Sequence, residues 1–436
     1  MFEARRKRFM EAMGRGVAVI PAAPMRTRSN DTEYRYRQNS DFYYLTGFNE
    51  PESVAVISTI HPEHKFVLFV RPRDKEKEIW NGRRAGPEGA KAKYGADESF
   101  TIDKLDEMLP KYVENSPRLF YRLGLDAEFD GRVTGWLNKI RAAVRTGVTA
   151  PSEIVEPATI LHEMRLFKRD EDLKLLRRAC DISAEAHVAA MRACRPGMKE
   201  YELEAIIEYV FRKSGAEAPG YTSIVGSGAN ATILHYVEND AAIKDGDLVL
   251  IDAACEYGGY SSDITRTFPA NGKFSKTQRA IYDLVLEAQL QSMEEIAPGK
   301  RFVEYHDRAV RVLVEGLVRL GLLDGPADEA IKSESYKRYY MHRTGHYLGG
   351  DVHDVGRYMI EGESRVLEPG MVMTVEPGIY IAEDDDRAPA EYRGIGVRIE
   401  DDLLVTPAGH EVLTPGVPKT VADIEKTMAM GVPALL

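Results

Sequence analysis

Four acidic residues sit where an ordinary surface charge would be out of place. Asp252 ends Leu248-Val249-Leu250-Ile251, a run apolar at every position, as in a strand buried on both faces. An ionised aspartate there is costly unless it is paired or bound to a cation. For any one such acid, a solvated turn at the strand end is the ordinary alternative. Asp263 follows the turn signal Tyr257-Gly258-Gly259, in a segment that alternates like a strand. A hairpin centred between Tyr257 and Gly258 sets Asp252 directly opposite Asp263. Opposed like charges destabilise a hairpin, and a divalent cation between them reverses that sign. Glu376 ends Val372-Met373-Thr374-Val375, just before Pro377-Gly378. Glu400 closes Val397-Arg398-Ile399 ahead of Asp401 and Asp402, and spacing alone does not choose among those three acids. Arg398 lies two residues before Glu400, hence on the same face of a strand.

The histidines narrow the chemistry. Three of the ten, His342, His346 and His353, fall within twelve residues, where random placement would give about 0.3. A helical i, i+4 zinc pair of His342 and His346 is disfavoured by Gly345, Gly349 and Gly350. His235 stands alone, and by itself reads as a satisfied core histidine. Two Asp, two Glu and at least one His make a mainly oxygen ligand set. It favours Mn²⁺, with Co²⁺ or Zn²⁺ as alternatives, over a thiolate site. Five ligands exceed what one catalytic zinc with an open position takes. They suit two ions ~3.5–4 Å apart, which together generate hydroxide at neutral pH and polarise a carbonyl. The reaction class is hydrolysis of an amide or phosphate ester.

These side chains need strands whose ends converge. Strands are expected at 222–225, 248–254, 261–268, 371–376 and 396–400. Around them, helices are expected at about 170–195, stopped by Pro196-Gly197, and at 200–214. Ser275 and Gln278 have capping-box spacing and open a helix to about Ile296; another spans 302–320. Helices bunched in pairs with hairpins between them point to α+β packing rather than alternating βαβ units. The first ~150 residues mix strands (17–21, 54–60, 66–71) with helices (103–114, 131–145). Residues 150–168 are Pro-punctuated and read as a linker. Trp80 reads as a half-buried packing residue in a polar loop. The domains expected are 1–168 and 169–436.

The 436 residues carry 69 acidic and 58 basic side chains, a formal net charge of −11. That balance argues against a nucleic-acid binder. Cys180, Cys194 and Cys255 imply no disulfide framework and fit reduced thiols in the cytoplasm. The N-terminal stretch reads as an amphipathic helix followed by a strand rather than a leader. No stretch approaches the ~18 apolar residues of a membrane span.

Order and spacing together resemble a known family. LIDA with Asp252, SSDITRTF with Asp263, GHYLGGDVHD with His346 and His353, TVEPGIY with Glu376 and GIGVRIEDD with Glu400 are similar to the pita-bread metallopeptidases. They resemble most of all the aminopeptidase P (Xaa-Pro aminopeptidase) group. SNDTEYRYRQNSDFYYLTGFNEPE at 29–52 and EIWNGRR at 78–84 extend the likeness into the first domain. The resemblance implies a creatinase-like α/β N-terminal domain before a C-terminal pita-bread catalytic domain. It implies that Asp252, Asp263, His346, Glu376 and Glu400 bind two ions, usually manganese, and it selects Glu400 from its three neighbouring acids. It casts His235 and His353 as catalytic non-ligands that stabilise the tetrahedral intermediate and handle the leaving group, which reverses the reading of His235. Glu376 would also shuttle a proton. His342 and Arg398 would lie near the substrate, and Trp80 would reach a neighbouring subunit's site in a homodimer or homotetramer.

The activity implied is release of the N-terminal residue from peptides with proline second, through a metal-bridging hydroxide. The rivals are a prolidase restricted to Xaa-Pro dipeptides, with organophosphate hydrolysis on the side, and a metal-free binding module on the same fold. Arg343 departs from the glycine common after the first histidine, and Gly345 is more like prolidase; both bear on chain-length preference.

Overall fold

The structure is a computed structural model that describes residues Met1–Val432. It divides into two compact units between Met164 and Arg165. The division falls inside a helix, Ala158–Leu166, so the segment read as a linker contains a strand, Glu153–Val155, and a helix.

The first unit is built on a six-stranded mixed sheet. Its order is Glu98–Thr101, Phe66–Val70, Val54–Ser58, Val17–Pro21, Arg118–Phe120, Glu153–Val155. Side chains alternate across the three middle strands. Ala18, Ile20, Ala55, Ile57, Leu68 and Val70 enter one core, and Val17, Val19, Val54, Val56, Val67 and Phe69 enter another. Both faces are therefore covered, which explains why these strands read as continuous apolar runs. Helix Phe2–Met13 brings Phe9 and Met13 to the first core, and helix Ala127–Ala142 brings Val133, Trp136, Leu137 and Ile140 to the second. Trp80 corrects an expectation. It lies in a helix, Lys75–Asn81, that buries no residue, and it is 86% exposed. Asp74 starts that helix by accepting hydrogen bonds from the amides of Glu76 and Lys77.

The second unit is α+β. Helices Asp170–Ala193 and Glu200–Lys213 pack as one pair, and Lys276–Met293 and Phe302–Arg319 as another. The Ser275 hydroxyl caps the amide of Gln278, whose side chain returns to the Ser275 amide. Three antiparallel groups of strands matter for the site. Leu248–Asp252 runs between Ile224–Ser227 and Thr265–Pro269. Asp401–Thr406 runs between Val372–Val375 and Gly409–Val412. Gly378–Ile381 pairs with Ile395–Arg398. The main core of this unit joins both helix pairs to these sheets through residues such as Leu203, Ile251, Phe268, Ile281, Leu313 and Val397. No helix among the described residues is long and apolar enough to cross a membrane.

Candidate metal centre

The hairpin that carries both aspartates differs from its expected register. The turn is Gly258-Gly259, both at positive φ (60° and 78°), as a two-residue hairpin turn requires. Tyr257 pairs with Tyr260, and Asp252 faces Thr265 rather than Asp263. The carboxylates meet all the same, because both strands break before the sheet resumes. Residues 253–254 and 262–264 leave the ladder, tied by the Ala253 amide to the Ile264 carbonyl at 3.1 Å. Helix Asp170–Ala193 takes up the polar groups thus freed. His187 Nε2 lies 2.8 Å from the Ala253 carbonyl oxygen, and Ser183 Oγ accepts the Cys255 amide and meets Ser262 Oγ at 2.9 Å. The Asp263 amide donates to Asp402 Oδ2 at 3.0 Å. Satisfying these buried groups holds a strand break that would otherwise be expensive.

The result is one cluster. The Tyr221 hydroxyl sits 2.5 Å from both Asp252 Oδ1 and Asp263 Oδ1. Asp263, His346 and Glu400 each place a ligand atom within 4.8 Å of the others. His346 Nε2 is 3.3 Å from Asp263 Oδ2 and 3.6 Å from Glu376 Oε1. His346 Nδ1, 2.9 Å from the Tyr347 carbonyl oxygen, donates its proton there, which turns Nε2 toward the carboxylates as the ligand atom a metal would take. Thr265 Oγ1 donates to Glu400 Oε2 at 2.6 Å, and Thr374 Oγ1 to Glu376 Oε1 at 3.2 Å. Glu400's two neighbours are engaged elsewhere. Asp401 pairs with Arg266 and Lys419 at 2.7 and 2.8 Å, and Asp402 accepts the Asp263 amide.

The charges fit divalent cations. Burial, then the neighbouring carboxylates, pushes Glu376 up to about 7 and Glu400 well above the carboxylate range. Asp263 is also raised, by burial first and by Asp252. Burial opposes charge on His346, but Asp263 and Glu376 more than offset it and raise the imidazole to about 9. Among the described residues the only cationic partners of these four carboxylates are Arg398 and the histidines, so the site lacks positive charge. An oxygen-rich donor set with one imidazole matches harder divalent ions.

The other predicted residues line the same cavity of about 1080 Å³. His353 lies edge-on to His346 with ring centroids 4.2 Å apart, and His353 and His235 are both exposed in the wall. His342 is not helical; its Nε2 is 2.9 Å from the Tyr380 hydroxyl and its Nδ1 4.0 Å from Glu376 Oε2. Arg398 donates to Asp252 Oδ2 (2.6 Å), Thr265 Oγ1 (3.1 Å) and the Tyr380 hydroxyl (3.0 Å). Trp80 belongs to the first unit. Sequence reasoning passed over Tyr221, Thr265, Thr374, Tyr380 and His187. Only one faint signal marked any of them: Thr265 and Thr374 stand at even spacing from Asp263 and Glu376, hence on the same faces.

Comparison with known proteins gives the family. The chain matches the description of metallopeptidase family M24 over residues 174–407 and that of the aminopeptidase P N-terminal domain over residues 2–121. A Xaa-Pro aminopeptidase of Escherichia coli (strain K12) is 49% identical over 429 residues, covering 98% of this chain and 97% of that one. The structure of Pseudomonas aeruginosa aminopeptidase PepP is 56% identical, with a TM-score of 0.97 and coverage of 98% and 97%. Zinc-substituted E. coli aminopeptidase P in complex with product is 48% identical, with a TM-score of 0.95 and 98% coverage of each chain. The first unit therefore carries the N-terminal fold of that group and the second its pita-bread fold. With its ordered carboxylates and histidines in one cavity, this chain belongs to metallopeptidase family M24, in the Xaa-Pro aminopeptidase group of hydrolases.

Proposed function

We propose that the chain removes the N-terminal residue from peptides whose second residue is proline. The observation that carries this reading is the convergence of Asp252, Asp263, His346, Glu376 and Glu400 at the floor of one cavity large enough for a short peptide. These five side chains would hold two divalent ions, manganese first, with cobalt and zinc as alternatives. Such ions supply a hydroxide nucleophile at neutral pH and polarise the scissile carbonyl.

The remaining chemistry belongs to the protein. His353 and His235, free of strong partners in the cavity wall, stabilise the developing oxyanion as preorganised donors. Glu376 moves a proton to the proline nitrogen as the bond breaks. That nitrogen is a tertiary amide with no N–H, so recognition must come from shape and from the carbonyl groups around it. His342, Tyr380 and Arg398 form one hydrogen-bonded chain beside Glu376 and position the substrate. Residues 169–436 form the catalytic domain and 1–168 a separate one. Trp80, almost fully exposed, meets the site of a neighbouring copy in a cytoplasmic homodimer or homotetramer.

The test compares the manganese-loaded enzyme on a Xaa-Pro dipeptide and a Xaa-Pro-Xaa tripeptide. Efficient release of the first residue from the tripeptide is expected, and cleavage of the dipeptide alone would favour a prolidase. Glu376→Ala should lose at least 10²–10⁴ in rate while staying folded. A fully active variant would overturn the role given to Glu376.

A further inference from the structure

Charge is spread unevenly around the cavity. Four acids, Asp252, Asp263, Glu376 and Glu400, and two arginines, Arg343 and Arg398, line it. Arg398 is buried and its donors are committed to Asp252, Thr265 and Tyr380. Arg343 is exposed, and its guanidinium makes no hydrogen bond or ion pair among the described residues. It follows His342 directly, and His342 Nδ1 lies 2.7 Å from the Arg343 carbonyl oxygen. Its charge bears on His306 and Asp307, and neither pairs with it at ion-pair distance. The lining of the cavity is largely apolar and includes Phe302, Val303, Tyr358 and Met359. Apolar walls exclude water and strengthen a charge contact made there.

We propose that Arg343 forms a carboxylate subsite on the leaving side of the scissile bond. A free guanidinium offers five donors in a planar fork that matches a carboxylate two-to-two. Arg343 adjoins His342 in sequence and lines the same cavity, so a proline seated by His342 would have its following residue within reach of the Arg343 guanidinium. Its carboxylate is either the C-terminal α-carboxylate of a short peptide or the side chain of Asp or Glu. Both are ionised at neutral pH. This inference rests on the Xaa-Pro exopeptidase reading and adds a preference to it.

The experiment measures kcat/KM of the manganese-loaded enzyme on two matched pairs. One pair is Ala-Pro-Ala with a free carboxylate and its C-terminal amide. The other is Ala-Pro-Glu-amide and Ala-Pro-Gln-amide. The wild type should prefer the carboxylate member of at least one pair by about tenfold at low salt, and the pair affected identifies the source of the carboxylate. Added salt should shrink that ratio. Arg343→Ala should bring it to about 1, and Arg343→Lys should restore part of it; Arg343 is exposed, so a thermal melt should match wild type. A wild type with no preference in either pair, or an Arg343→Ala variant that keeps it, overturns the subsite and leaves the peptidase reading intact. An enzyme that cleaves none of the four overturns both.

Discussion

Gly345 separates Thr344 from His346, and the structure leaves no room for a side chain there. A Cβ at this position would stand 2.1 Å from the Thr374 carbonyl oxygen, 2.8 Å from its carbon and 2.9 Å from Thr374 Oγ1. Cβ contacts in proteins do not fall below 3.0 Å, so Gly345→Ala must part the two segments by about 0.9 Å. Neither segment is free to yield. The Thr374 amide donates to the His346 carbonyl at 2.9 Å, the His346 amide to Thr374 Oγ1 at 3.1 Å, and the Glu376 amide to the Thr344 carbonyl at 2.8 Å. The displacement would therefore fall between His346 and Glu376, whose ligand atoms are 3.6 Å apart. Forced overpacking of this kind costs ~1–3 kcal/mol of stability. A shift of about 1 Å in an active-site group costs on the order of 10²-fold in rate. Calorimetric titration of the metal-free variant with Mn²⁺, and kcat/KM on a Xaa-Pro-Xaa tripeptide, should both show the loss. Gly131→Ala is the control. Its Cβ would meet nothing within 4 Å, in the second turn of helix Ala127–Ala142. It should leave both measurements unchanged and add ~0.5–1 kcal/mol of stability. Wild-type ion affinity and activity in Gly345→Ala would refute the argument that close backbone approach sets the His346–Glu376 distance.

Two further outcomes follow from buried polar groups. Asp354 meets Arg165 and Lys168 at 2.6 and 3.0 Å, all three side chains nearly inaccessible. Burial pushes its carboxyl up, but Lys168 and Arg165 more than offset that and hold it below the usual range. Its folded-state pKa is thus below the unfolded value near 3.9. The stabilisation is complete above that value and is lost as pH falls through the folded pKa. Urea midpoints measured from pH 6 to pH 3 should decline on the acid side. Asp354→Asn should lack that part of the decline and be about 3–5 kcal/mol less stable at pH 6; an identical acid decline in wild type and variant would contradict this. His187→Leu removes the only side-chain partner shown for the Ala253 carbonyl, at a cost of ~1–3 kcal/mol. That carbonyl follows Asp252, so ion affinity should also fall, by about 10–100-fold as for other groups that orient ligands. Unchanged affinity would show that this contact does not position Asp252.

What could be read from the chain depended on whether local chemistry or distant packing decides each feature. Helix Lys276–Met293 was legible because Ser275 and Gln278 cap it within three residues. The all-apolar strands at 54–58 and 66–70 were legible because both faces are buried. The hairpin register was misplaced because three turn-forming residues stood in a row, and only the positive φ of both Gly258 and Gly259 decides which pair makes the turn. Trp80 reads as a loop residue because its helix buries nothing, so no apolar period marks it; its one local signal is Asp74 as a cap. The acids at strand ends could be singled out because charge after an apolar run is costly. Their hydroxyl partners could not. Tyr221 reaches Asp263 across 42 residues and Thr265 reaches Glu400 across 135, and hydroxyl residues are too common for such pairs to stand out.

On the proposed function, these five side chains form a two-ion centre that drives Xaa-Pro cleavage. This reading is tested most directly by adding Mn²⁺ in steps to the metal-free enzyme while following bound ion and tripeptide cleavage together. The account predicts saturation at two ions per chain, with activity rising as they bind and lost again on chelation. Full activity without added ion, or saturation at a single ion, would contradict it.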